Sequence, residues 1–210
     1  STTVEVEAEV KELQFALGST DLSVGENRLT FGLIDPETGP IRDVQVELST
    51  FRLTSRGPEG PVQTMVGVFR RWPVAPSGLY TAHMFFDKAG TWDISVVATS
   101  LSGASRSVSI RIQVNETSMT PSVGTSAPRS RSKTMSDVGS LQELTTDRRP
   151  ESALYETNIA NAIEMNRPVL VLFATPAYCQ TATCGPQIEV IKELKERFRD
   201  RMSFVHVDIY

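Results

Sequence analysis

The sequence has little cysteine, little histidine, no large surplus of one charge and no long apolar run. Its 21 basic and 25 acidic residues give a formal net charge of −4, which excludes the basic surface that nucleic-acid binding requires. No stretch approaches the ~18 consecutive apolar residues of a transmembrane helix, so none is predicted within the 210 residues. The only two cysteines, Cys179 and Cys184, lie five positions apart, and we look for function there.

Residues 1–115 alternate apolar and polar side chains, a pattern typical of strands with one buried and one solvated face. Sequences rich in glycine, proline and small polar residues separate these runs and predict turns. About seven or eight short strands without a helical period predict an all-β immunoglobulin-like sandwich. The sandwich holds no candidate catalytic group, so we interpret it as a spacer or docking module. The alternating apolar positions are Val44, Val46, Leu48, Trp92, Ile94, Val96, Val108, Ile110, Ile112 and Val114.

Residues 116–149 differ in composition from the sequence before them. Serine, threonine, proline and glycine dominate the stretch 117–136, and apolar residues are few there. Such a segment buries too little apolar surface to offset the entropy lost on ordering it. We therefore predict a flexible linker over residues 116–149.

From residue 150 onward the apolar spacing predicts a helix, a strand, a second helix and a second strand. The first helix should end near Asn166, and the apolar run 169–173 is typical of a strand buried on both faces. Pro186 opens the second helix, and residues 204–209 form the last strand. Strand, helix and strand in this order predict a βαβ unit. The inner face of the second helix consists of Ile188, Ile191, Leu194, Phe198 and Met202.

The residues around the cysteines resemble the first half of a thioredoxin-fold domain. Residues 166–179 comprise a polar turn, a short apolar strand and the aromatic–cysteine pair Tyr178-Cys179, and residues 204–208 resemble the next strand of that fold. The resemblance covers residues 150–210 and implies an α/β thioredoxin-like domain behind the sandwich, in a multidomain chain. The family's remaining strands, final helix and cis-proline loop do not follow Tyr210, so we expect the protein to continue.

The cysteine spacing departs from the C-x-x-C motif of that family, and two alignments stay open. In the first, Tyr178-Cys179 matches the family's Trp-Cys pair, which makes Cys179 the attacking thiol and Cys184 the resolving thiol. In the second, residues 184–187 match C-G-P-C with Gln187 in place of the second cysteine, so Cys184 attacks and Cys179 resolves. The C-x4-C spacing is also similar to that of one branch of peroxiredoxins.

Helix geometry limits how the two cysteines can form a disulfide. Residues five apart on a continuous α-helix have Cα atoms about 8–9 Å apart, beyond the ~7 Å limit for a disulfide. Proline is favourable only in a first turn, so Pro186 predicts a helix start near Cys184 or Gly185 and leaves Cys179 on the preceding loop. The pair is then within reach of a disulfide, and the helix N-terminus favours a Cys184 thiolate.

The resemblance implies thiol–disulfide exchange in which Cys179 and Cys184 react with thiols or disulfides of a protein partner. No organic cofactor and no metal is required. Many thioredoxins hold a buried acid where this chain has Val171 or Leu172, so proton transfer must use water or another group. The combination resembles extracytoplasmic bacterial redox proteins, and the chain starts at Ser1 without a signal core. We therefore expect a location outside the cytoplasm and a membrane or lipid anchor upstream.

Two other functions are compatible with the cysteine pair. Thioredoxin-like copper chaperones use two cysteines at similar spacing as Cu(I) ligands, together with a histidine from later in the chain. A non-catalytic interaction protein would use the pair only as a structural disulfide. We interpret His83 with its neighbour Met84, and also His206, as structural residues rather than metal ligands.

Overall fold

A computed structural model describes residues 13–72, 78–178 and 184–209. The chain divides into two compact units, of which the first reaches residue 122 and the second begins at residue 123. Strands make up 45% of the protein and helices 16%, so the described part of the chain is mostly β.

The first unit is one antiparallel sheet of eight strands that is nearly closed on itself. Seven of the strands follow the order β1-β2-β6-β5-β4-β7-β8, and the short β3 pairs with β2. Each strand is flanked by turn-forming residues, and positive-φ glycines such as Gly25 and Gly90 begin strands where a side chain would be strained. The strands are β1 (Gln14–Leu17), β2 (Gly25–Asp35), β3 (Gly39–Pro40), β4 (Gln45–Thr54), β5 (Gly57–Arg71), β6 (Gly78–Phe86), β7 (Gly90–Thr99) and β8 (Ser105–Val114).

Strand β5 joins the two halves of this sheet. Its residues 57–67 pair with β4, whereas residues 68–71 pair with β6. At the crossing, a Cβ atom on Gly67 would lie 3.0 Å from Val46 Cγ1, so the glycine allows the close approach of β4. Where β5 has left β6, the side-chain amide of Gln63 bonds to the backbone of Phe85, with Nε2 donating to the carbonyl at 2.5 Å and Oε1 accepting from the N–H at 3.1 Å.

The core of the first unit is built from the inward face of each strand. Trp92 is fully buried, its ring centroid lies 5.1 Å from that of Phe86, and its Nε1 donates to the Lys88 carbonyl at 3.1 Å. The predicted inward positions on β7, which are Trp92, Ile94 and Val96, are confirmed as fully buried. The immunoglobulin-like sandwich of separate sheets is not found, because β5 is long enough to bond both halves into one sheet.

The second unit contains a two-stranded parallel sheet and two α-helices within the described residues. Strand β9 pairs with β10 from Ser203 opposite Val169 to Val207 opposite Phe173. One face of the pair contacts α2 through Phe204 and Ile191, and the other contacts α1 through Val205. The elements are α1 (Ile159–Glu164), β9 (Val169–Phe173), α2 (Cys184–Phe198), β10 (Ser203–Val207) and the 3₁₀ helices Met135–Asp137, Leu141–Glu143 and Ser152–Leu154.

The prediction of an α/β thioredoxin-like domain over residues 150–210 is wrong. The protein is mostly β with a nearly closed antiparallel sheet and two α-helices, and no such domain is evident. The predicted order of strand, helix and strand is confirmed. In the described part of this unit, however, the sheet contains only the two strands β9 and β10. Apolar spacing specifies an element and its buried face, whereas the number of strands that join a sheet depends on pairing between distant segments.

The second half of the stretch expected to be a flexible linker contributes to the second unit. Leu144 is buried beside Tyr155, and Met135, Val138 and Leu141 pack against the same cluster. The backbone N–H of Met135 donates to the Tyr155 carbonyl at 2.9 Å. These few apolar residues therefore anchor a segment whose overall composition is typical of a linker.

Candidate functional site

The structure locates only part of the cysteine pair. Cys184 is the first residue of α2, as the position of Pro186 predicted. The side chain of Cys184 and the whole of Cys179 lie outside the described residues, so the disulfide between them stays a prediction. Buried Ile191 packs in one cluster with Phe204 of β10, and Ile188 is also buried. Lys195 and Arg197 in the last turn of α2 complement the helix dipole.

The segment that leads toward Cys179 is held at the carboxyl ends of the two strands. Ala174 and Thr175 are buried directly after β9, and the Ala174 N–H donates to the Val207 carbonyl at 3.2 Å. Thr175 Oγ1 accepts from the Ile209 N–H at 3.3 Å. A turn follows, and Tyr178 is 65% exposed. Because α2 leads from β9 back to β10, its N-terminus belongs to this same edge of the sheet.

A buried histidine lies under this segment. His206 on β10 is 3% exposed; its Nε2 lies 3.1 Å from the Ala174 carbonyl and its Nδ1 lies 2.5 Å from Tyr155 Oη. A carbonyl only accepts, so Nε2 carries the proton and Nδ1 accepts the tyrosine hydroxyl proton. Both ring nitrogens are thereby engaged, and His206 has no lone pair to offer a reacting group in this arrangement.

Burial keeps both His206 and Tyr155 neutral. It lowers the pKa of His206, although the hydrogen bond to the Ala174 carbonyl and the charges of Asp208 and Asp147 act in the opposite direction. Burial also raises the pKa of Tyr155 to about 12, against the effect of a hydrogen bond from Thr145. A neutral imidazole and a neutral phenol are the states that their hydrogen bond requires.

A second set of contacts fixes the turn after Thr175. Asp208 follows β10, and its Oδ2 accepts from the Thr146 N–H at 2.7 Å and from Thr146 Oγ1 at 2.8 Å. Thr146 Oγ1 in turn accepts from the Ala177 N–H at 3.2 Å. The segment around Thr146 thus ties the end of β10 to the residues that precede Cys179.

A partly buried ion pair connects the same segment to α2. Lys192 Nζ lies 2.9 Å from Asp147 Oδ2 and donates to the Arg149 carbonyl at 2.9 Å, with the lysine and aspartate side chains 17% and 13% exposed. Burial opposes ionisation of Asp147, but the Arg149 N–H and Lys192 outweigh it and lower the pKa of Asp147. A cavity of about 260 Å³ adjoins the network and is lined by Leu144, Tyr155, His206 and Asp208, among others.

From the sequence, the cysteines were the predicted site and His206 was interpreted as structural, whereas Tyr155, Thr146 and Asp147 were not predicted. Tyr155 and Thr146 lie 51 and 62 residues from their partners His206 and Asp208, and no motif marks them. The one available signal was the alternation of Phe204, His206 and Asp208, which places a polar group at the end of a buried strand.

His83 and Met84 in the first unit lie on opposite faces of one strand. His83 is exposed on β6, whereas the neighbouring Met84 is buried on the opposite face. Across residues 13–72, 78–178 and 184–209, no group of three or more histidine, cysteine, aspartate or glutamate side chains is arranged to hold a metal ion.

Comparison with known proteins finds no family model that matches the chain and no matching curated protein. None of the helices in the described ranges combines the length and the apolar character needed to cross a membrane.

Proposed function

We propose that the protein carries out thiol–disulfide exchange with protein partners through Cys179 and Cys184. The observation that carries the proposal is that α2, a helix of 15 residues, begins at Cys184, with Cys179 five positions earlier in the sequence. The positive end of a helix dipole stabilises a thiolate, the reactive form of cysteine. The residue pattern around the cysteines, which resembles that of thiol–disulfide exchange proteins, supports the same chemistry.

The reaction needs only the two cysteines and the partner's disulfide. The thiolate of one cysteine attacks a sulfur of that disulfide, a mixed disulfide forms, and one partner sulfur leaves as a thiolate that takes a proton. The chain's second cysteine, as thiolate, then attacks the sulfur of the chain's first cysteine in the mixed disulfide and releases the other partner sulfur as a thiolate. The chain's two thiols become a disulfide, and the partner's disulfide becomes two thiols; the reverse sequence oxidises a partner.

The fixed turn before Cys179 supports this role, because a reactive sulfur must be presented repeatedly in one geometry. The hydrogen bonds to Ala174 and Ala177 hold the backbone of that turn. Val171 and Leu172 on β9 offer no acid, and both nitrogens of His206 are engaged. Proton transfer in the proposed reaction must therefore use water or another group.

A redox titration of the cysteine pair tests the proposal. The metal-free full chain is equilibrated in glutathione buffers, alkylated and weighed by mass spectrometry. A midpoint between about −120 and −270 mV lies in the range of exchange proteins and supports the proposal, whereas a midpoint below about −300 mV indicates a structural disulfide and overturns it. Failure to form the bond, together with stoichiometric Cu(I) binding, would favour a copper carrier instead.

Single-cysteine variants identify the attacking thiol. When the resolving cysteine is replaced by serine, the mixed disulfide with a partner persists and can be isolated; when the attacking cysteine is replaced, no mixed disulfide forms. We expect Cys179→Ser to retain the mixed disulfide and Cys184→Ser to lose it, because Cys184 begins the helix.

We place this reaction outside the cytoplasm. The support is that the only cysteines of the chain form one closely spaced pair, which suits an oxidising compartment. Labelling intact cells with a membrane-impermeant alkylating reagent tests the location: the pair should react before lysis, and protection until lysis would place it in the cytoplasm.

A further inference from the structure

A cleft of about 520 Å³ lies at the edge of the second unit where β9 and β10 begin, opposite the edge that α2 leaves from. Arg167 precedes β9, Ser203 is the first residue of β10, and Lys195 and Arg199 come from the end of α2 and the turn after it. Its volume falls within the usual range of small-molecule sites. An inference from this cleft uses none of the residues assigned to the proposed exchange reaction and is independent of that reaction.

The cleft carries an excess of positive charge. Arg167, Lys195 and Arg199 line it together with a single acid, Glu156. Lys195 is neutralised by an ion pair with Glu151, outside the lining. Within the described part of the chain, Arg167 and Arg199 form no ion pair. Their two charges therefore exceed that of the one lining carboxylate.

Arg167 is held in place by neutral partners. Its Nε donates to Ser203 Oγ at 2.8 Å, and its Nη2 lies 3.5 Å from the thioether sulfur of Met165. Ser203 is 3% exposed, so its hydroxyl is a fixed acceptor. A thioether is a weak acceptor, and neither partner neutralises the guanidinium. A positioned guanidinium of this kind binds a carboxylate or phosphate through two parallel hydrogen bonds.

The lining also includes apolar side chains, beside the polar Thr157 and Asn161. Met165 and Met202 are adaptable thioethers, and Phe204 is almost fully buried beneath them. We propose that this cleft binds a small organic anion, with its carboxylate or phosphate head on Arg167 and Arg199 and its apolar part against Met202 and Phe204. The chemistry required of the ligand is an oxyanion joined to a short hydrocarbon.

The test uses small molecules that carry an oxyanion and a short hydrocarbon either together or separately. The ¹⁵N-labelled full chain is titrated with hexyl phosphate, hexanoate, inorganic phosphate and 1-hexanol while amide shifts are followed. We expect saturable shifts at Ser203 and Phe204 with hexyl phosphate or hexanoate, and the tighter of the two identifies the head group. Inorganic phosphate and 1-hexanol should bind at least about tenfold more weakly, since each lacks one set of contacts.

Matched variants separate this cleft from general attraction to a basic surface. Arg199→Gln should weaken hexyl phosphate binding by about tenfold or more, the effect of losing a charged hydrogen-bond partner. Arg197→Gln removes the same charge from α2 outside the cleft and should leave binding unchanged. The proposal is overturned if no probe gives saturable shifts at Ser203 and Phe204, or if Arg197→Gln weakens binding as much as Arg199→Gln does.

Discussion

The two units are stabilised by different kinds of contact. The first buries large apolar side chains along long antiparallel ladders; Trp92, Tyr80, Phe31 and Phe86 are among its fully buried residues. The second has two small apolar clusters but most of the buried polar residues within the described ranges. Apolar burial is non-directional, whereas hydrogen bonds fix geometry. The second unit thus holds a precise but pH-sensitive arrangement. Its buried polar residues are Thr134, Thr145, Thr175, Ser203 and His206, against Thr50 and Thr81 in the first unit.

The largest expected effect is on the apolar core of the first unit. Trp92→Ala removes a fully buried side chain, and we expect the free energy of unfolding to fall by about 3–5 kcal/mol because a large cavity remains. Urea denaturation followed through β7 amide signals measures it. Leu101→Ala is the control, since Leu101 is fully exposed and should change stability by less than about 0.5 kcal/mol. Equal effects would contradict this account of the core.

A smaller effect should follow from deleting one hydroxyl in the second unit. Tyr155→Phe keeps the apolar ring but leaves His206 Nδ1 buried without its donor, which should cost about 1–3 kcal/mol. Denaturation followed through β10 amide signals measures the loss. A double-mutant cycle with His206→Leu should give a coupling of about 1 kcal/mol or more; additive losses would show that the two side chains do not interact.

The second unit should also lose stability in mild acid. Burial lowers the pKa of His206 in the folded chain. Just below the ordinary histidine pKa of about 6.5, the unfolded chain therefore takes up a proton at His206 while the folded chain does not. The contribution of neutral His206 to the free energy of unfolding is therefore complete above about pH 6.5. It falls as the pH drops toward the folded pKa, by at most about 1.4 kcal/mol per pH unit. Denaturation at several pH values measures the slope.

Histidine variants show which histidine causes the pH dependence of the free energy of unfolding. His206→Gln should flatten the pH dependence below about pH 6.5. His83→Gln, at an exposed position of β6, should leave it unchanged. If the slope disappears only in the His83 variant, the buried network is not its source.

The smallest effect concerns the short helix α1. Asn158 Oδ1 accepts from the Asn161 N–H at 2.8 Å and caps the helix N-terminus. Asn158→Ala should destabilise the second unit by about 1 kcal/mol, whereas Asn158→Ser keeps a capping oxygen and should cost less. Equal losses in the two variants would indicate that packing rather than capping holds α1. Urea denaturation followed through the amide signals of β10 measures the stability of both variants.

The features that the sequence predicted are local ones. The inward face of β7 follows from alternation, and the start of α2 at Cys184 follows from Pro186, because each depends on neighbouring residues alone. Alternation does not encode where β5 changes from its neighbour β4 to its neighbour β6. It also does not encode the contact of Tyr155 with His206, which lie 51 residues apart. The sequence did not reveal the packing of Leu141 and Leu144, because composition averages over a segment, whereas one buried leucine and a few partly buried apolar residues anchor it.

The double role of β5 has a consequence for how the first unit comes apart. Because β5 supplies hydrogen bonds to β4 within residues 57–67 and to β6 through residues 68–71, the two halves of the sheet are connected by backbone hydrogen bonds, and separating them breaks the short β5–β6 ladder. Sheets joined only through side chains can open one at a time, but a shared strand couples their opening. We therefore expect the two halves of the first unit to unfold cooperatively, because opening one half removes hydrogen-bond partners from the strand that both halves share.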